Sequence, residues 1–172
     1  MASAIHAASK QLESTAKDYT DHLWLVALIA RSQYDPRFMV EQIEGTLYGA
    51  ATINDHEPGH CRRRHCLYFS ESAFFKYRDL DGAMLFGPAS VALYVNDYGH
   101  RIDRLSRSGL GQFFARHQAL HNRYSMEKDG DCLVADFDMP RSDPEVVFAR
   151  VKEKYASRHL QLGNWHHYEA IA

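Results

Sequence analysis

The chain has 172 residues, 45% apolar and 24% charged, with 20 lysines and arginines against 22 aspartates and glutamates and a formal net charge of −2. That length and polarity provide for one sizeable core and exclude a disordered or fibrous chain, and the near-balance of charge removes any general attraction to nucleic acid. The longest apolar run, residues 23–30, is far short of the roughly 20 residues of a membrane span, and no basic segment followed by an apolar signal core opens the chain, so a cytoplasmic protein with no membrane partner is expected.

From the N-terminus, Ile5, Ala8, Leu12, Ala16, Tyr19, Leu23 and Val26 recur every three or four residues. That spacing keeps them on one helical face and predicts a long amphipathic helix, apolar all round in its last third. Asp35 and Pro36 end it and start another, Asp35 as a cap and Pro36 at a first position where the missing N–H costs nothing. Met39, Ile43, Leu47 and Ala50 carry this second helix toward Asn54, with Gly45 and Gly49 on another face. Residues 1–54 therefore read as an antiparallel helical hairpin. Residues 54–65, polar and holding Pro58 and Gly59, read as a loop.

Beyond the loop the period changes. Leu67, Phe69, Ala73, Phe75 and Tyr77 alternate with mostly polar residues, residues 79–82 form a turn, and residues 83–86 are short and apolar. Val91, Leu93 and Val95 resume the alternation, and residues 96–99 make a hairpin turn into a strand over 100–105. Ser108 caps a third helix with the stripe Leu110, Phe113, Phe114, His117, Leu120, His121 and Tyr124. A hairpin around Gly130 pairs residues 124–128 with 132–137, and Asp143 and Pro144 start a fourth helix holding Val147, Phe148, Val151 and Tyr155. Residues 160–172 supply a last strand. No repeat or linker divides the chain. The expectation is a single α+β domain over 1–172: the N-terminal helical hairpin, then over 66–172 a mainly antiparallel β-sheet with two further helices packed on it.

Histidine is the outlier, with 11 copies. The densest cluster, His56, His60, Cys61, His65 and Cys66, offers ligands suited to zinc, but Arg62, Arg63 and Arg64 lie inside it and would repel a cation, so a solvated basic loop competes with a metal site. With Cys132, these cysteines are an odd, sparse set of 3, unlike the disulfide frameworks of secreted domains. His117 and His121, four apart on the third helix, share a face and can reach one metal ion, zinc or iron(II). The glutamate of a zinc-protease helix is missing between them, since those positions are Gln118, Ala119 and Leu120. Asp136, Asp138, Cys132, His166 or His167 would complete the shell, Asp136 and His167 foremost; without metal, His117 or His121 would act as general acid or base. The competing reading is a pair of hydrogen-bonded histidines at the core boundary.

Arg101, Arg104 and Arg107 precede Ser108 at the start of the third helix, where free N–H groups and the helix dipole favour an anion; a solvated strand edge is the alternative. Aromatic residues such as Tyr68, Phe69, Phe75, Tyr77 and Tyr94 furnish the core or line a pocket. Two functions follow. One is a small-molecule enzyme or ligand-binding protein with a pocket centred on His117 and His121, with a zinc or iron(II) cofactor where metal binds. The other is a non-enzymatic interaction module, self-associating as a homo-oligomer or binding an acidic partner or nucleic acid through a local arginine and histidine patch.

Overall fold

The computed structural model describes residues 2–15, 19, 21–30, 36–57, 60–67, 72–122, 132–134, 144–155 and 160–162. The chain falls into two compact units, Met1–Ile43 with Ala73–Asn122, and Glu44–Ser72 with Arg123–Ala172.

The first unit opens with α1 (Ala2–Thr15), shorter than its periodicity implies. It buries Ile5 and Ser9, one turn apart. The apolar run that follows is not the end of that helix. Residues Leu25–Ile29 form β1, which pairs in parallel with β4 (Gly82–Phe86) in the register Leu25↔Gly82 to Ile29↔Phe86. A short segment that is apolar on every side fits a buried helix or a buried strand equally well; the second apolar segment at 82–86 decides for the strand. The expected helical hairpin over 1–54 is thereby replaced by helix, strand, helix: α2 spans Pro36–Tyr48 and begins at the proline as its sequence requires. Asp35, the proposed cap, lies outside the described residues.

After the short helix α3 (Ala73–Lys76), which replaces part of an expected strand, β4 turns through Gly87 to Ser90 into β5 (Val91–Val95), antiparallel to it. The expected strand over 100–105 is instead helical: α4 covers Ile102–Arg107 and α5 covers Gly109–Arg116. Ser108 caps α5 as expected, its hydroxyl accepting from Gly111 N–H at 3.0 Å. β6 (Leu120–His121) then lies parallel to β5. The sheet has the order β1-β4-β5-β6. It is mixed and mostly parallel, because two of its connections cross over instead of turning back; the mainly antiparallel sheet expected from the turn signals is not found. Leu93 and Val95 pack with Leu105 of α4 and Phe114 of α5 on one face.

The second unit contains another four-stranded sheet. β2 (Ala50–Glu57) and β3 (His60–Leu67) are antiparallel from Ala50↔Leu67 to Glu57↔His60. The segment read as a polar loop is therefore a hairpin. β7 (Cys132–Val134) runs parallel to β3, and β8 (Leu160–Leu162) antiparallel to β2. The expected hairpin partner at 124–128 lies outside the described residues. α6 spans Pro144–Tyr155, starting at its proline. Among the described residues no helix is long and apolar enough to cross a membrane.

Candidate functional site

At one end of the first sheet, β1 and β4 begin and β5 ends. Three side chains anchor this end. Asp81, just ahead of β4, has a side chain only 1% exposed. Its Oδ2 accepts from Trp24 N–H at 2.7 Å and from the Arg101 guanidinium at 3.2 Å, while its Oδ1 is buried with no hydrogen-bond partner among the described residues. Burial pushes the Asp81 carboxyl above its ordinary value of 3.8, against the pull of the Trp24 N–H and of Arg101 and Arg104. Arg101 also lies over the Trp24 ring at 4.5 Å and donates to the Asp79 carbonyl at 2.8 Å.

A carboxyl raised in the folded state binds its proton more tightly there than in the unfolded chain. Its contribution to stability is full below pH 3.8 and is lost as pH rises through the raised pKa. Urea unfolding of the wild type and of Asp81→Asn across that window is the check: the wild type should lose stability relative to the variant as pH rises, then run level with it. A difference that is flat or grows the other way refutes the assignment.

Asn96, at the end of β5, is 1% exposed. Its amide donates to the carbonyls of Phe74, Tyr77 and Leu80 at 3.0–3.2 Å, and its Oδ1 accepts from Tyr98 N–H at 3.0 Å. The 74–80 segment is thus held rigidly against the sheet. It presents Tyr77 to α1, where the phenol is hydrogen-bonded to His6 Nδ1. Burial, and secondarily the charge of Glu13, raise the Tyr77 pKa above 10.0, so the phenol keeps its proton at neutral pH.

Beside this pair lies a cleft of about 50 Å³ whose walls include Glu13, Trp24, Lys76, Tyr77, Arg78 and Asp79. That is well below the roughly 300–1,000 Å³ of sites that enclose a drug-sized ligand. It has room for a few waters, or for one polar group of a larger molecule. Two carboxylates and two cations face it, so its chemistry suits a ligand carrying both signs.

The residues singled out by sequence lie elsewhere. His117 is not inside a helix: it ends α5. Gln118 adopts a left-handed φ of 55°, and the N–H groups of Gln118 and Ala119 fold back onto the carbonyls of Ala115 and Phe114 at 3.1 and 2.9 Å, a Schellman closure. His121 follows in β6, its ring stacked on Tyr94 at 5.0 Å, whereas the exposed His117 ring lies 4.6 Å from Phe113. The shared helical face that motivated the pair is absent. Asp136, Asp138, His166 and His167 lie outside the described residues, and among the described ones no group of three or more His, Cys, Asp or Glu is placed to hold a metal ion.

The His56 to Cys66 cluster is drawn out along a hairpin; at about 3.3 Å per residue, His60 and Cys66 are roughly 20 Å apart along one strand. Of the arginines, Arg101 is engaged by Asp81, and Arg107 pairs with Asp103 at 2.8 Å on an exposed helix face. Arg104 acts on the Asp81 carboxyl. The sequence reading missed His6 and Tyr77 as a pair because 71 positions separate them and no local pattern links them. Comparison of the chain with protein families, with characterised proteins and with solved structures gives no match.

Proposed function

We propose that the chain binds a small polar molecule carrying both charge signs in the cleft beside α1, with His6 and Tyr77 as a proton-active pair. The histidine-centred pocket expected from sequence is thereby kept in kind and moved to a different histidine. The observation that carries this reading is the hydrogen bond between His6 and Tyr77, whose phenol lines the cleft. With the phenol protonated and the imidazole proton on Nε2, Tyr77 donates to Nδ1, and as the phenol oxygen takes a proton from a bound ligand its own proton passes to Nδ1, leaving an imidazolium and a deprotonated ligand. The rival, an acidic partner or nucleic acid gripped by Arg101, Arg104 and Arg107, has less support, since Arg101 is already engaged by Asp81. A cytoplasmic setting belongs to this reading, on the odd set of 3 cysteines.

The test is a thermal-shift panel of small amino acids, carboxylates and amines. At tenfold over its dissociation constant, a ligand stabilises the fold by about 1.4 kcal/mol, or about 3–6 °C for a chain of this size. A small zwitterion is expected to produce that shift in the wild type and not in His6→Ala or Tyr77→Phe. If no panel member moves the wild-type Tm, or if the variants respond equally, the reading fails.

A further inference from the structure

Among the described residues β1 is an edge strand, paired on one side only. Its hydrogen bonds show which way each residue turns. Trp24 exchanges bonds with Asp81, its N–H to the carboxylate at 2.7 Å and its carbonyl accepting the Asp81 N–H at 2.9 Å. Ala30 N–H reaches the Phe86 carbonyl at 2.9 Å. In a parallel ladder one residue bonds to the neighbouring strand and the next turns away. Even-numbered residues therefore serve β4, and Leu25, Ala27 and Ile29 direct their N–H and C=O groups to the outer edge.

The side chains of those three share one face. Ala27 is exposed there, and the row at the end of that face, Ile29, Phe86 and Val91, is 79%, 38% and 38% exposed. Edge strands are usually blunted by charge, proline or a bulge. The strand Leu25–Ile29 has neither charge nor proline.

We propose that this edge is completed by β1 of a second copy, in an antiparallel pair about a two-fold axis at Ala27. Centring the axis on an outward-turned residue sets Ala27 against Ala27 and Leu25 of each copy against Ile29 of the other. All these pairs are of the type in which opposite residues exchange both backbone bonds, so the outward groups of all three residues are satisfied. Symmetry delivers this match to a second copy, whereas a foreign strand has to reproduce it by its own sequence.

The side chains fit as well. The exposed Ile29 falls opposite Leu25, which is partly buried against the Leu93, Val95, Leu105 and Phe114 cluster, and the smallest residue sits on the axis. Neither strand carries a charge, so no like charges oppose each other across the pair. A five-residue edge and one apolar row are small against the roughly 800 Å² per partner of stable dimers. The association is therefore concentration-dependent rather than permanent.

Sedimentation velocity of the full chain, from micromolar to near-millimolar concentration, tests the pairing. The wild type should pass from monomer to dimer. Ala27→Pro removes one outward N–H and none of the bonds to β4, and Ile29→Lys puts a charge on an exposed position. Each should raise the dimerisation midpoint at least tenfold while circular dichroism and Tm hold, and Ile102→Lys, at an exposed position on α4 outside that row, should leave the midpoint unchanged. Should Ala27→Pro disturb the fold, Ile29→Lys decides alone. A wild type that stays monomeric, a dimer indifferent to the variants, or growth beyond the dimer overturns the proposal. So does an edge that binds an unrelated strand-forming peptide as tightly as a synthetic peptide of residues 24–30, since that would assign the edge to a foreign strand.

Discussion

Asn96→Asp is expected to cost at least about 4 kcal/mol, a large part of the 5–15 kcal/mol that holds a typical domain together. The Asn96 amide faces the carbonyls of Phe74, Tyr77 and Leu80, and Tyr98 N–H fixes which end of the side chain is the oxygen. An alanine there deletes the donors: the Tyr77 carbonyl keeps the Leu80 N–H at 3.1 Å, but the buried amide's bonds to all three carbonyls are lost at about 1 kcal/mol each, so about 3 kcal/mol is expected for Asn96→Ala. Aspartate is worse. It keeps the shape of asparagine but turns an acceptor toward three acceptors and buries a charge among them. Its cost should deepen as pH rises and the new carboxyl is forced to ionise. Urea midpoints of both variants at pH 5 and pH 8 are the measurement. Equal losses for the two, or a loss below about 1 kcal/mol for either, would show that the 74–80 segment is held by something other than this side chain.

Gly111→Ala should lower stability by about 2 kcal/mol and Tm by about 4–8 °C, although α5 is a helix and alanine is the better helix former by about 1 kcal/mol. Sterics decide the sign. A Cβ at Gly111 would meet the Leu105 carbonyl carbon at 2.9 Å and Ser106 Cα at 3.1 Å, with the Leu105 carbonyl oxygen closer still. These are backbone atoms of α4 and cannot swing aside, so the two helices have to part, and overpacking of this kind costs 1–3 kcal/mol or more. Gly109→Ala in the same helix meets nothing within 4 Å and should be neutral or stabilising by less than about 1 kcal/mol. Opposite signs at two glycines of one helix are the expected result of differential scanning calorimetry. A stabilised Gly111→Ala variant would mean that α4 and α5 do not approach as closely as described.

What could be read from the sequence was local chemistry. Pro36, Pro144 and the Ser108 cap mark helix starts because their effect depends on the next three residues alone, and the alternation through Val91, Leu93 and Val95 marks a strand for the same reason. Partner-dependent features escaped. Residues 25–29 are apolar on every side, and only the segment at 82–86 makes them a strand. The end of α5 was overrun because its left-handed position is Gln118 and not the glycine that usually announces such a stop, and that error alone created the His117 and His121 pair. Asn96 and Gly99 looked like a hairpin turn, and a turn is present, Gly99 N–H to the Asn96 carbonyl at 3.1 Å. It leads into a helix whose only buried residue is Leu105, too little apolar signal to reveal a period. The proposed cleft needs α1 and the 74–80 segment together, and no window along the chain contains both.

The parallel register of Leu25 with Gly82, about 57 positions later, has a consequence for biosynthesis. At the ribosome's pace of roughly 5–20 residues per second, β1 emerges some 3–11 s before its partner strand exists. For that interval an uncharged apolar segment with strand character has no sheet to join, which is the condition that favours capture by chaperones or by a neighbouring nascent chain. Slowing translation between codons 30 and 82 should therefore reduce soluble yield, and a lysine at Ile29 should restore it.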